Sequence, residues 1–162
     1  MTDFEALYAH YSRDIYRFVL YLCGNHAEAE DITSETFVRA WNATGDIRAA
    51  TAKAYLFAIA RNHYLERRRR AARQTQLDET MPDSTANPYA DAERRIELNR
   101  LLGALQQLPE VDRTVLLLRV QEEWSYQEIA DAVHLSLPAV KVRIHRARLK
   151  LVQWRAAQEM KK

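Results

Sequence analysis

Residues 125–151 read SYQEIADAVHLSLPAVKVRIHRARLKL, and this stretch decides the fold because it spells two helices around a three-residue turn. Ser125 and Glu128 form a capping-box pair, the hydroxyl accepting from the third backbone N–H while the carboxylate reaches back, a start worth about 1 kcal/mol. The first helix is expected to reach Val133, with Ile129 and Val133 on its buried face. His134, Leu135 and Ser136 make the turn, Ser136 caps the second helix, and Pro138 falls in its first turn, where a missing N–H costs nothing. Val140, Ile144, Ala147 and Leu151 then form one narrow stripe for packing, while Lys141, Arg143, Arg146, Arg148 and Lys150 line the flanks. A basic helix held across a short first one is the geometry that enters a DNA major groove.

An ordinary helical hairpin with a solvated basic face shares this spacing, but the charge distribution favours nucleic acid. Residues 134–162 hold eight Lys or Arg against the single acid Glu159, whereas the whole chain is only +2. Charge concentrated in this way is an electrostatic footprint for phosphate.

With 162 residues, 48% hydrophobic and 28% charged, the chain has the size of one ordinary domain or two small ones. Three glycines and four prolines, among many Ala, Leu, Glu and Arg, predict an all-α fold. The single cysteine, Cys23, excludes an internal disulfide and is expected to be a buried small hydrophobe in a reducing cytosol. The charged, amphipathic N-terminus does not read as a signal peptide, and no apolar run approaches the roughly 18 residues of a membrane span.

Toward the N-terminus, Phe4, Leu7, Tyr8, Tyr11, Ile15, Phe18, Val19 and Leu22 keep helical spacing, predicting one amphipathic helix over residues 3–23 closed by Gly24. Asn25 and Glu28 read as the cap and third residue of a second helix to Asn42, buried at Ala29, Thr33, Phe37 and Ala40. Its opposite side aligns Asp31, Ser34, Glu35, Val38 and Asn42, either a solvated face or a mixed acidic and apolar docking face. His26, Glu28, Glu30 and Asp31 resemble a ligand cluster, but no second His or Cys is near in sequence, so no metal is expected.

Residues 44–51 (TGDIRAAT) read as a loop, and a third helix resumes near Lys53 with Leu56, Ile59 and Ala60 as its apolar residues. Residues 61–73 then carry six Arg against Glu66, with Tyr55, Phe57, His63 and Tyr64 interleaved. Aromatic faces beside cations suit unstacked bases; core rings before a solvated Arg tail are the plain alternative. Residues 74–92 contain Pro82 and Pro88 and have lost periodicity, which predicts a flexible linker between two small helical domains, 1–73 and 93–162. The second domain is expected to start with a helix over 93–107, apolar at Ile96, Leu101, Leu102 and Leu105. A further helix follows from Pro109 to Gln121, with Val111, Val115, Leu116 and Leu118 inward.

Four segments carry a resemblance: AEDITSETFVRAW (29–41), YLFAIARNHYLERRRR (55–70), LQQLPEVDRTVLLLRVQEEWSYQEIADAV (105–133) and VKVRIHRARLKL (140–151). In this order they resemble the extracytoplasmic-function sigma factors of bacterial RNA polymerase. The resemblance implies that Asp31, Ser34, Glu35 and Val38 meet the coiled coil of the largest polymerase subunit. It implies that residues 44–70 melt and read the single-stranded minus-10 element, with Tyr55, Arg61, Asn62, Tyr64, Arg67 and Arg68 as candidate contacts. It further implies that the helix-turn-helix reads minus-35 duplex through Lys141, Val142, Arg143, His145, Arg146 and Arg148. Core RNA polymerase, promoter DNA and an anti-sigma factor are the implied partners. The implied place is the cytoplasm at the nucleoid, or the inner membrane where the anti-sigma factor is membrane-bound.

Departures from the family pattern matter. Ser34 stands where Gln is usual, Glu66 where Asp is common and His134 where a turn Gly is frequent; the usual Gly-Thr-Val-Lys-Ser-Arg reads Pro138-Ala139-Val140-Lys141-Val142-Arg143. Promoter preference therefore does not carry over. The second helix also bears an apolar row nearly opposite its packing stripe, Pro138, Val142, His145, Leu149 and Val152. Val142 can meet a thymine methyl, but Leu149 and Val152 lie about two turns further on and are expected to hold an inhibitory partner, or to pack on the C-terminal tail near Trp154. No nucleophile–base pair, phosphate-cradling Gly loop or ligand cluster is present, so neither catalysis nor a cofactor is expected. The competing readings are a stand-alone helix-turn-helix regulator that binds operators as a dimer, and a protein-binding scaffold.

Overall fold

A computed structural model describes residues 4–43, 49–74 and 92–160. These residues form seven helices: α1 (Phe4–Cys23), α2 (His26–Asn42), α3 (Ala49–Gln74), α4 (Ala92–Gln106), α5 (Glu110–Val120), α6 (Tyr126–Val133) and α7 (Leu137–Met160). The fold is all-α, and the chain divides into two compact units, Met1–Thr85 and Ala86–Lys162.

In the first unit α1, α2 and α3 pack on one another. The α1 stripe buries Leu7, Ile15, Phe18, Val19 and Leu22. Gly24 follows in the left-handed region, φ 76°, its N–H donating to the Leu20 carbonyl at 2.7 Å; this is the chirality-free position that ends a helix. Asn25 caps α2, its side chain accepting from Glu28 N at 2.8 Å. Ala29, Thr33, Phe37 and Ala40 are buried together with Ile32 and Thr36. The hydroxyls of Thr33 and Thr36 donate to the carbonyls of Ala29 and Ile32, which removes the cost of burying them. Cys23 is half-buried rather than buried, its Sγ donates to the Asn25 carbonyl at 3.4 Å, and burial pushes the thiol pKa up to about 12. His26 is in hydrogen-bond contact with Tyr16, Nδ1 to Oη, at 3.0 Å.

The ends of the expected loop and linker differ from expectation. α3 begins at Ala49, so the last three residues of the expected 44–51 loop are helical, a consequence of two consecutive alanines, the best helix formers. The remainder of that loop, 44–48, lies outside the described residues, as does the expected linker except for its ends, Gln74 and Ala92, which are helical.

In the second unit α5 packs on α6 and α7, and α4 on α5 and α7. Leu102, Leu105, Leu108, Val115, Leu116, Leu118, Trp124, Ile129, Val140, Ile144 and Ala147 form its core. Ile96 and Leu101, expected to face inward, are exposed, and Val111 is only half-buried. Asp112, Arg113 and Thr114 are instead fully buried. Arg113 Nη1 donates to the carbonyls of Leu105 and Leu108, each at 3.2 Å, so its guanidinium ties α5 to the chain end of α4, where Leu105 O also accepts from Leu108 N at 3.1 Å. Ser125 caps α6 with both halves of the capping box present, Glu128 N to Ser125 Oγ at 3.1 Å and Ser125 N to Glu128 Oε1 at 2.9 Å. His134 ends α6 at φ 58°, ψ 43°, the left-handed conformation that glycine takes without strain. Ala139 N donates to Ser136 Oγ at 3.2 Å, the cap of α7.

Candidate nucleic-acid and partner interfaces

On α7 the packing stripe turns inward as the spacing requires, with Val140, Ile144 and Ala147 buried. Lys141, Val142, His145, Arg146 and Arg148 are exposed, and Arg143 is half-buried. Two of the cations are held by a residue that charge counting missed. Asp112, with no exposed surface, accepts from Arg143 Nη1 at 2.9 Å through Oδ1, and from Arg146 through Nε to Oδ2 and Nη2 to Oδ1, both at 3.1 Å. Burial pushes the Asp112 carboxyl pKa up, but the hydrogen bonds from Arg146 and Arg143 outweigh it and hold the group below its ordinary value. Lys141 reaches the Tyr126 ring, its Nζ 5.4 Å from the centroid, while the Arg119 guanidinium lies 4.2 Å from the same ring.

The apolar row on the far side of α7 is exposed at Val142, Leu149 and Val152, the last at 65%. Trp154 instead lines a groove of about 440 Å³ with Ala104, Leu108 and Leu151, away from that row.

On α2 the second face is outward. Asp31 and Ser34 are exposed, Glu35 is half-buried and Val38 is half-exposed. This face continues into an apolar groove of about 310 Å³ lined by Phe4, Tyr8, Phe37, Val38 and Trp41. Trp41 is 63% exposed, with its ring edge-on to Phe4 at 4.8 Å. Sequence reading missed Tyr8 and Trp41 as surface residues; the available signal was Trp41 at i+3 from Val38, on the row already identified.

On α3 the candidate base contacts separate. Asn62 and Arg68 are exposed, and Tyr55, Arg61 and Arg67 are half-buried. Tyr64 is 1% exposed. It lies at i+4 from Ala60 and i+7 from Phe57, both buried, so the ring is core and cannot stack on a base in this fold; the expectation for Tyr64 is corrected. Arg67 is also engaged within the unit, 3.8 Å from Glu28 and 3.7 Å from Asp31. Arg39 bridges Glu35 at 3.3 Å and Glu66 at 3.1 Å. The Arg39 hydrogen bond holds Glu66 below the usual carboxylate pKa. His63 is buried beside this network; burial, then the charges of Arg39 and Arg67, lower its pKa below the ordinary 6.5. The basic helix and the acidic face are therefore joined by ion pairs between α2 and α3.

Among proteins of known kind, the family pattern described as Sigma-70 region 2 matches residues 7–74, and Sigma-70 region 4 matches residues 98–151. The ECF RNA polymerase sigma factor SigL of Mycobacterium tuberculosis is 35% identical over 148 residues, covering 88% of this chain and 83% of its own. SigM of Bacillus subtilis is 28% identical over 149 residues, covering 91% of each. Two solved structures are similar. RpoE of Bartonella quintana, in complex with the anti-sigma factor NepR, has a TM-score of 0.72 at 25% identity and covers 94% of this chain and 96% of its own. CnrH, in complex with the cytosolic domain of CnrY, has a TM-score of 0.71 at 28% identity, over 95% and 88%. With its helix-turn-helix, its outward α2 face and these relatives, the chain belongs to the extracytoplasmic-function sigma factors of bacterial RNA polymerase.

Proposed function

We propose that the chain lends promoter specificity to core RNA polymerase through two domains, 1–73 and 93–162, each presenting one functional face. In the first, Asp31, Ser34, Glu35 and Val38, extended by Trp41, meet the polymerase. Beside them Tyr55, Arg61, Asn62, Arg67 and Arg68 meet the unpaired minus-10 strand. In the second, Lys141, Val142, Arg143, His145, Arg146 and Arg148 meet the minus-35 duplex. The carrying observation is that α7 buries Val140, Ile144 and Ala147 while Lys141, Arg146 and Arg148 are exposed, on a helix whose preceding turn is fixed by Ser125, His134 and Ser136. The factor is not an enzyme; it changes where polymerase starts.

An anti-sigma factor is the proposed antagonist, docking on the row of Leu149 and Val152. Support comes from the exposure of both residues and from RpoE and CnrH, the first solved with an anti-sigma factor and the second with a cytosolic domain of CnrY. The proposed location is the cytoplasm; among the described residues no helix is long and apolar enough to cross a membrane. Electrophoretic shift of promoter duplex with and without core enzyme tests the proposal. A shift that requires core supports it, a shift by the chain alone as a dimer supports a stand-alone regulator, and no shift in either supports a scaffold.

A further inference from the structure

We propose that Asp112 is a positioning residue for promoter reading: it takes the inner edges of Arg143 and Arg146 and so turns the free edge of Arg146 toward a base. This rests on the reading of α7 as the duplex-reading helix. Asp112 is the third residue of α5, in the turn whose N–H groups favour an anion, and it is completely buried. A carboxylate there is tolerable only when paired, and the two guanidiniums pair it.

Such pairing works against phosphate binding. If Arg143 and Arg146 served only to neutralise DNA, an adjacent buried carboxylate would subtract from the charge they offer. What it supplies is direction. Arg146 is held side-on by its Nε and one Nη2 hydrogen, with the side chain still 49% exposed. Both Nη1 hydrogens and the other Nη2 hydrogen remain, and this end-on edge matches the O6 and N7 acceptors of guanine. Arg143 pairs through a single Nη1 and leaves 33% of its side chain exposed, steadying the carboxylate at Oδ1, the oxygen it shares with Arg146 Nη2. A lysine at position 146 lacks the fixed planar fork that pairs side-on with Asp112 and end-on with a base edge at once.

The experiment uses the chain bound to core polymerase and selects promoters from a library randomised across the minus-35 element, with the salt dependence of binding measured in parallel. The wild type should select guanine at one position, and Arg146→Lys should lose that preference alone. Asp112→Asn should lower discrimination at the same position by roughly 5- to 150-fold, the range of one bidentate pair, while leaving the other positions and the salt slope unchanged or the slope steeper. If Asp112→Asn does not fold, Asp112→Glu, which keeps the charge but displaces the carboxylate by one methylene, is judged by the same single-position loss. Undiminished guanine preference in the folded variant overturns the proposal, as does an equal loss at every position accompanied by a lower melting temperature, the mark of a mere staple between α5 and α7. If wild type and Arg146→Lys both select no minus-35 sequence, it is the reading of α7 that fails.

Discussion

Tyr64→Ala separates a core ring from a base platform. The ring is 1% exposed. A buried aromatic of this kind removes about 150–250 Å² from water, and truncating one to alanine costs about 3–5 kcal/mol once the cavity is included. The first unit, Met1–Thr85, at roughly 0.05–0.15 kcal/mol per residue has only about 4–13 kcal/mol of stability. The substitution therefore takes between a quarter and all of it, and at about 4–8 °C per kcal/mol for a unit of this size the melting midpoint should fall by roughly 12–40 °C. Tyr64→Phe, which keeps the ring in place, should fall far less. Circular dichroism melts supply the midpoints; open-complex yield is then compared on a duplex promoter and on one with a pre-melted bubble. Tyr64→Ala should lose activity equally on both templates. A midpoint within about 3 °C of wild type, with loss confined to the duplex, would refute the core assignment and restore Tyr64 as a stacking residue.

Asp31→Arg with Glu35→Arg should abolish co-purification with core enzyme while shifting the melting midpoint little, because the pairs these residues make with Arg67 and Arg39 are largely solvated and worth under about 1 kcal/mol each; retained binding would remove the polymerase face. Leu149→Glu, at a side chain 48% exposed, should spare promoter-directed transcription and the fold while weakening capture by the antagonist; unchanged capture would show that the antagonist docks elsewhere. His63 has its folded pKa lowered by burial and then by Arg39 and Arg67, so the unfolded chain binds the proton more tightly. The neutral ring's contribution is complete above the unfolded pKa of about 6.5 and is lost as pH falls toward the lowered value. Melts from pH 7.5 to 5 should show that loss, and His63→Gln should flatten it.

Much of this fold was legible because its signals are local. The Ser125–Glu128 box, the Asn25 cap, Gly24 and the inward stripes of α1, α2 and α7 depend on residues within a turn or two of each other. Asp112 was not legible, because its partners lie 31 and 34 residues away and a charged residue in a sequence reads as surface by default. A clue was present: Asp112 lies at i, i+3 and i+4 to Val115 and Leu116, on the apolar face of α5. Tyr64 was misread for the opposite reason. It lies within an arginine-rich run, between Arg61 and Arg67, but its helical neighbours Phe57 and Ala60 are core, and the periodicity rather than the local charge was the better guide. The exposed Ile96 and Leu101 show the limit of periodicity itself, which marks an apolar face without saying whether a neighbour covers it.

Transcription reconstituted from purified parts tests the central claim most directly. Core RNA polymerase with and without this chain is presented with supercoiled genomic DNA, and the 5′ ends of the transcripts are sequenced. The expected result is a set of starts found only when the chain is present, sharing one minus-10 and one minus-35 element at fixed spacing. Starts that are the same with and without the chain, while the chain alone protects a duplex operator, would contradict it.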